Sequence, residues 1–129
     1  MQIHQSAEDY LETILMLTQR MGRVRSIDVV NELGYTKASV SIAMKKLREN
    51  GYIAVDGEGN LTLLEPGREI AERIYSRHRL LTHFFVQLGV DEEVAAEDAC
   101  KAEHILSEQT LEKIREYALL HDAEDSVQK

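Results

Sequence analysis

The sequence predicts a mainly α-helical fold in which one short β-hairpin interrupts a run of helices. Three observations lead there. The 129-residue chain holds only seven glycines and one proline, with 5% aromatic residues, so it is dominated by residues that propagate helix rather than break it. Apolar residues recur at helical spacing, as in Leu11, Ile14 and Leu15. Residues 52–64 depart from that period: two short runs of strand-forming residues flank Asp56-Gly57-Glu58-Gly59-Asn60, a stretch of turn chemistry.

Taken in order, Ser6 is expected to cap the first helix, with Asp9 in capping-box position three residues on and Gly22 closing it. Ser26 caps a short second helix, residues 27–33, which Gly34 ends. Thr36 caps a third over residues 37–50, with Val40, Ala43, Met44 and Leu47 facing inward. The hairpin occupies 52–55 and 61–64. A long helix then runs over about 68–88, between Glu65-Pro66-Gly67 and Gly89. Asp91 caps a fifth helix reaching about residue 106, and Ser107 caps a sixth ending near 120. Residues 122–129 read as a frayed acidic tail.

A helix, two short helices joined at Gly34 and a hairpin make, in that order, a winged helix-turn-helix. The expected organisation is therefore a winged helix-turn-helix domain over 1–65, followed by an all-helical domain over 66–121. The net charge of −8 argues by itself against nucleic acid, but its distribution reverses that. Residues 21–50 carry Arg23, Arg25, Lys37, Lys45, Lys46 and Arg48 against Asp28, Glu32 and Glu49, while the remaining C-terminal chain is strongly acidic. The third helix offers Thr36, Lys37, Ser39 and Ser41 near its start to reach base edges. Lys45, Lys46 and Arg48 can meet the DNA backbone, and Arg25 is counted with the DNA-binding residues. No apolar run approaches 18 residues, and the N-terminus lacks a basic and apolar leader, so neither a membrane span nor a signal peptide is expected. One cysteine cannot staple the fold internally, which fits a reducing cytoplasm.

That cysteine opens Cys100-Lys101-Ala102-Glu103-His104. On one helix these three metal-competent side chains lie within about a 100° arc. Spacing alone favours a packed cysteine with two exposed neighbours. Asp9 and Glu12 stand one turn apart on the first helix, and His78 lies midway along the fourth. Individually these read as a cap, a solvated charge and an ordinary imidazole.

In this order, Ser6-Ala7-Glu8-Asp9-Tyr10-Leu11-Glu12, the winged helix, Arg77-His78-Arg79-Leu80-Leu81 and the Cys100 stretch resemble the diphtheria toxin repressor/manganese transport regulator family. The resemblance spans about residues 5–120. It implies that Asp9, Glu12, His78, Cys100, Glu103 and His104 are metal ligands, and that the chain is a homodimeric repressor of metal-uptake genes. The chain departs from both branches of the family. Manganese-type members carry a carboxylate where Cys100 stands, and iron-type members a methionine where Asp9 stands. Thr82 and Ala96 cannot act as the iron-type ancillary ligands there. The third, SH3-like domain of longer members is not expected. One ion or two per subunit remain open.

A set of three carboxylates, two imidazoles and one thiolate is too rich in nitrogen and sulfur for Mg²⁺ or Ca²⁺. The thiolate tilts the choice toward Fe(II), narrowly ahead of Mn(II), with Zn(II) and Co(II) compatible. Operator DNA and a second copy of the chain are the expected partners, with no membrane and no small-molecule substrate. The chief rival is a metal-independent winged-helix regulator that senses a small molecule or oxidation at Cys100. A metallohydrolase would need an open coordination position and a substrate cleft, for which a chain so largely spent on a winged helix has little room. No catalytic residues are expected.

Overall fold

The structure is a computed structural model that describes the backbone of residues 5–128 and the side chains of residues 5–122. Its elements are α1 (Gln5–Met21), α2 (Ser26–Leu33), α3 (Lys37–Glu49), β1 (Ile53–Val55), β2 (Leu61–Leu63), α4 (Glu65–Gln87), α5 (Glu92–Ala102) and α6 (Glu108–Gln128). The chain divides into two compact units, Met1–Arg73 and Ile74–Lys129.

In the first unit α1 packs on α2, α3 and β2. Its apolar stripe is broader than the sequence pattern implied: Tyr10, Leu11, Ile14, Leu15 and Leu17 are all buried. Gln5 and Ser6 are already helical, so Ser6 sits in the first turn and is not the expected cap. The second helix also starts one residue early. Arg25 holds the cap position, and the Asp28 carboxylate accepts the Arg25 backbone N–H at 2.9 Å, the bond by which an N3 side chain reaches back to the cap residue. Gly34 then turns the chain in the left-handed region (φ +72°), its N–H donating to the Val30 carbonyl at 2.8 Å. Thr36 caps α3 as expected, its hydroxyl oxygen accepting the Ser39 N–H at 3.1 Å. Val40, Met44 and Leu47 are the buried face of α3.

The hairpin is antiparallel, with Ile53 opposite Leu63 and Val55 opposite Leu61. Leu61 and Leu63 point into the core and Thr62 outward, the alternation a half-buried strand requires. The segment before α2 adds a third edge that the sequence did not disclose: Leu61 N–H donates to the Val24 carbonyl at 2.7 Å, and Arg25 bridges to Asn60. At the hairpin tip the Asp56 carboxylate accepts from the N–H groups of Glu58 and Asn60 and from the Asn60 amide. The Asn60 backbone and side-chain bonds hold its carboxyl below the usual range.

The fourth helix begins at Glu65, three residues before the expected start. Pro66 fits a first turn, where its missing N–H leaves nothing unsatisfied. The start of α4 packs on the hairpin stem. Leu64 N–H donates to the Tyr52 carbonyl at 3.0 Å, and a Cβ on the buried Gly67 would overlap that same oxygen.

In the second unit Leu81 of α4, Ala99 of α5 and Leu111 of α6 form the core, with Leu80, Phe85, Ala102, Leu106 and Ile114 against it. Ser107 caps α6 as expected, accepting the Thr110 N–H at 3.1 Å. Two expectations are corrected. The fifth helix stops at Ala102, with Glu103 as its C-cap, well short of residue 106. The sixth continues to Gln128, replacing the frayed tail with helix; Asp122 is gripped there by His83 Nε2 and Gln87 Nε2, each at 2.9 Å. Lys129 lies outside the described residues.

The Gly67 contact yields a direct test. Gly67→Ala would force the hairpin stem away from α4, an overpacking that costs about 1–3 kcal/mol. Urea denaturation should show that loss, and an unchanged midpoint would refute the contact.

Candidate metal centre and nucleic-acid interface

The two groups of candidate residues divide between the units, with Asp9 and Glu12 in the first. There, α3 presents its outward face. Thr36, Lys37, Ser39, Ser41, Lys45, Lys46 and Arg48 are all exposed, as is Arg25. The capping bonds of Thr36 fix the first turn: its hydroxyl donates to Ser39 Oγ at 2.9 Å while accepting the Ser39 N–H. Short polar groups at the helix start and long cations further along suit a helix that enters a groove end-first. Sequence reasoning missed Ile42, which is 57% exposed. The signal was available in its register, midway between the buried Val40 and Met44.

Asp9 and Glu12 lie one turn apart on α1, Asp9 half-buried and Glu12 buried at 5% exposure. The solvated reading of Glu12 is therefore wrong. An ionised carboxylate is held at that depth only by strong compensating interactions.

In the second unit the turn after α5 carries the remaining chemistry. Glu103 has 0% exposure. His78 Nδ1, from α4, lies 3.0 Å from its Oε2, and His104 Nε2 lies 3.4 Å from its Oε1. The second contact lacks hydrogen-bond geometry, and Oε1 accepts no hydrogen bond. A buried carboxylate thus sits between two imidazoles with one oxygen unsatisfied. Arg77, one residue before His78, donates to the Glu103 backbone carbonyl at 3.2 Å and pairs with Glu108 at the start of α6. It pins the turn that presents Glu103.

Cys100, Glu103 and His104 differ in burial. Cys100 lies on the exposed side of α5, whereas Glu103 and His104 follow the end of that helix. The chain tightens there, with the Ile105 and Leu106 N–H groups both donating to the Ala102 carbonyl. Glu103 itself keeps helical backbone, its N–H donating to the Ala99 carbonyl at 2.9 Å, and so continues the buried side that Ala95 and Ala99 form on α5. His78 and Glu103 are in direct contact within the second unit. The donors present, buried carboxylate oxygen and imidazole nitrogen, fit a divalent transition ion.

Comparison with known proteins extends this. Residues 2–61 match the family model described as iron dependent repressor, N-terminal DNA binding domain. Residues 64–121 match iron dependent repressor, metal binding and dimerisation domain. An HTH-type transcriptional regulator of Methanocaldococcus jannaschii is 36% identical over 113 residues, covering 86% of this chain and 90% of the relative. The HTH-type transcriptional regulator MntR of Bacillus subtilis (strain 168) is 32% identical, covering 96% and 87%. A solved manganese-dependent transcriptional repressor in complex with manganese superposes with a TM-score of 0.80 at 28% identity. It covers 87% of this chain and 52% of its own, so this chain spans about half the length of that relative. The matches to both halves, in chain order, place this protein in the iron-dependent repressor family of metal-dependent transcriptional regulators, to which the diphtheria toxin repressor and manganese transport regulator groups belong.

Proposed function

We propose that this chain is a metal-activated repressor that binds operator DNA as a homodimer when Fe(II) or Mn(II) is replete, and so controls metal-uptake genes in the cytoplasm. The observation that carries the proposal is Glu103, a fully buried carboxylate between His78 and His104 with an unsatisfied oxygen. Asp9, Glu12 and Cys100 join these three in the ligand set on the strength of the resemblance. Arg25, Thr36, Lys37, Ser39, Ser41, Lys45, Lys46 and Arg48 form the DNA face.

A bound divalent ion supplies the positive charge that this donor set lacks. The chain's own groups do the rest. Without a counter-charge neighbouring carboxylates such as Asp9 and Glu12 repel one another, and a bound ion would relieve that repulsion. Fixing α1 fixes the reading helix that packs on it, and a dimer then presents two such helices at one separation. The dimer reading is supported by large apolar side chains left exposed in the second unit, among them Leu119 at 62% and Leu120 at 66%. Fe(II) is favoured narrowly over Mn(II), because a thiolate from Cys100 would be the one soft donor. The exposed thiol supports a second reading, a regulator that responds to oxidation of Cys100 and ignores metal.

Operator binding across a panel of divalent ions, with a chelator control, tests the proposal. Affinity should appear with Fe(II) or Mn(II), vanish with chelator, and fall steeply as salt rises because phosphate contacts release counterions. Equal affinity in excess chelator, with loss on thiol oxidation, would establish the second reading instead.

The ligand role of Asp9 and Glu12 has its own test. Asp9→Asn/Glu12→Gln removes two neighbouring charges from α1, one of them buried. The melting temperature without metal should hold or rise, the dimer should persist, and metal should no longer raise operator affinity. Normal metal activation of the variant would return both residues to a purely structural role.

A further inference from the structure

The outward face of α3 has an apolar centre. Ile42 is two residues from Val40 and two from Met44, so it points roughly 200° around the helix from the buried stripe. At 57% exposure it is the one large apolar side chain that α3 shows to solvent among the described residues. Ala38, also exposed, stands one turn before it. Around it Ser39, Ser41, Lys45 and Lys46 are exposed polar groups, with Lys37 and Arg48 toward the flanks. A β-branched residue here gains little from helix propensity and nothing from burial in the unit. Single exposed apolar residues are common on surfaces. This one stands where a reading helix places its base contacts, inside a ring of cations that would engage phosphates.

The floor of the major groove offers hydrogen-bond donors and acceptors at every base pair but only one apolar group, the thymine methyl. A hydrocarbon side chain seated there discriminates by burying that methyl. We infer that Ile42 is a specificity-determining residue of this protein, reading the 5-methyl group of a thymine in each operator half-site, while the surrounding serines and lysines supply polar contacts. This rests on the proposed DNA-reading role of α3 and adds the base that its centre selects.

The test uses the full chain with MnCl₂ and a duplex that the wild-type protein selects from a random-sequence pool. Each thymine of one half-site is replaced in turn by deoxyuridine, which removes the methyl and leaves every hydrogen-bonding group in place. Wild type should lose roughly fourfold in affinity at one thymine, the worth of one buried methyl group. Ile42→Ala should bind more weakly overall yet show no loss at that position, and Ile42→Val, which keeps a branched side chain, should regain most of it. As Ile42 is exposed, circular dichroism and melting of both variants should match wild type, and the salt slope should not change. A deoxyuridine penalty identical in wild type and Ile42→Ala, or no sensitive thymine at all, would overturn the inference while leaving DNA binding intact. Failure of the wild type to enrich any sequence with any metal would instead overturn the DNA-reading role, and this inference with it.

Discussion

Glu103 has no access to water, and a carboxylate in that position needs positive charge or donors at both oxygens. His78 meets one oxygen at 3.0 Å, and His104 approaches the other without bonding to it. Leucine-like packing would have been simpler at such a depth, so the side chain is retained at a cost in stability that only a further interaction offsets. The surrounding second unit serves this arrangement. Leu81, Ala99 and Leu111 set the three helices against each other, and Arg77 ties the carbonyl of Glu103 and the carboxylate of Glu108 to α4. The turn is thereby held at both ends.

The first unit shows a different economy. Its core is ordinary, and its distinctive features are local: the left-handed Gly34, the Thr36 cap and the close approach of Gly67 to Tyr52. The first two orient α3 and the third ties the start of α4 to the hairpin. Together they display one face of α3 whose chemistry is polar at the start, cationic along the flanks and apolar at Ile42. Rigid display of a few side chains is what groove recognition requires, since base discrimination depends on placement more than on total charge.

Much of this was legible in the sequence because the signals are local. Periodicity located all six helices, glycine marked the turn in the helix pair, and Thr36 and Ser107 announced their caps. The failures came where a specific contact overrode the simplest local pattern. Arg25 displaced Ser26 as cap because Asp28 was in reach of its N–H. The fourth helix began early because Gly67 could press on the hairpin stem. The fifth helix ended at Ala102 with Glu103 as its C-cap, short of the residue 106 that periodicity suggested, and Glu103 is buried where Cys100 is exposed. No period predicts where a helix will yield to a turn that must bury a charge. The likeness to a known family singled out His78, Glu103 and His104 as candidate ligands where residue chemistry alone had left them as bland alternatives.

X-ray absorption at the metal edge of the Fe(II)- or Mn(II)-loaded protein tests the central claim most directly, because it reads the donor set itself. A first shell of oxygen and nitrogen with the multiple-scattering signature of two imidazoles is the expected result, with a sulfur scatterer present if Cys100 completes the set. Glu103→Gln should disturb that shell. A shell of light scatterers without imidazole, unchanged in Glu103→Gln, would contradict the account.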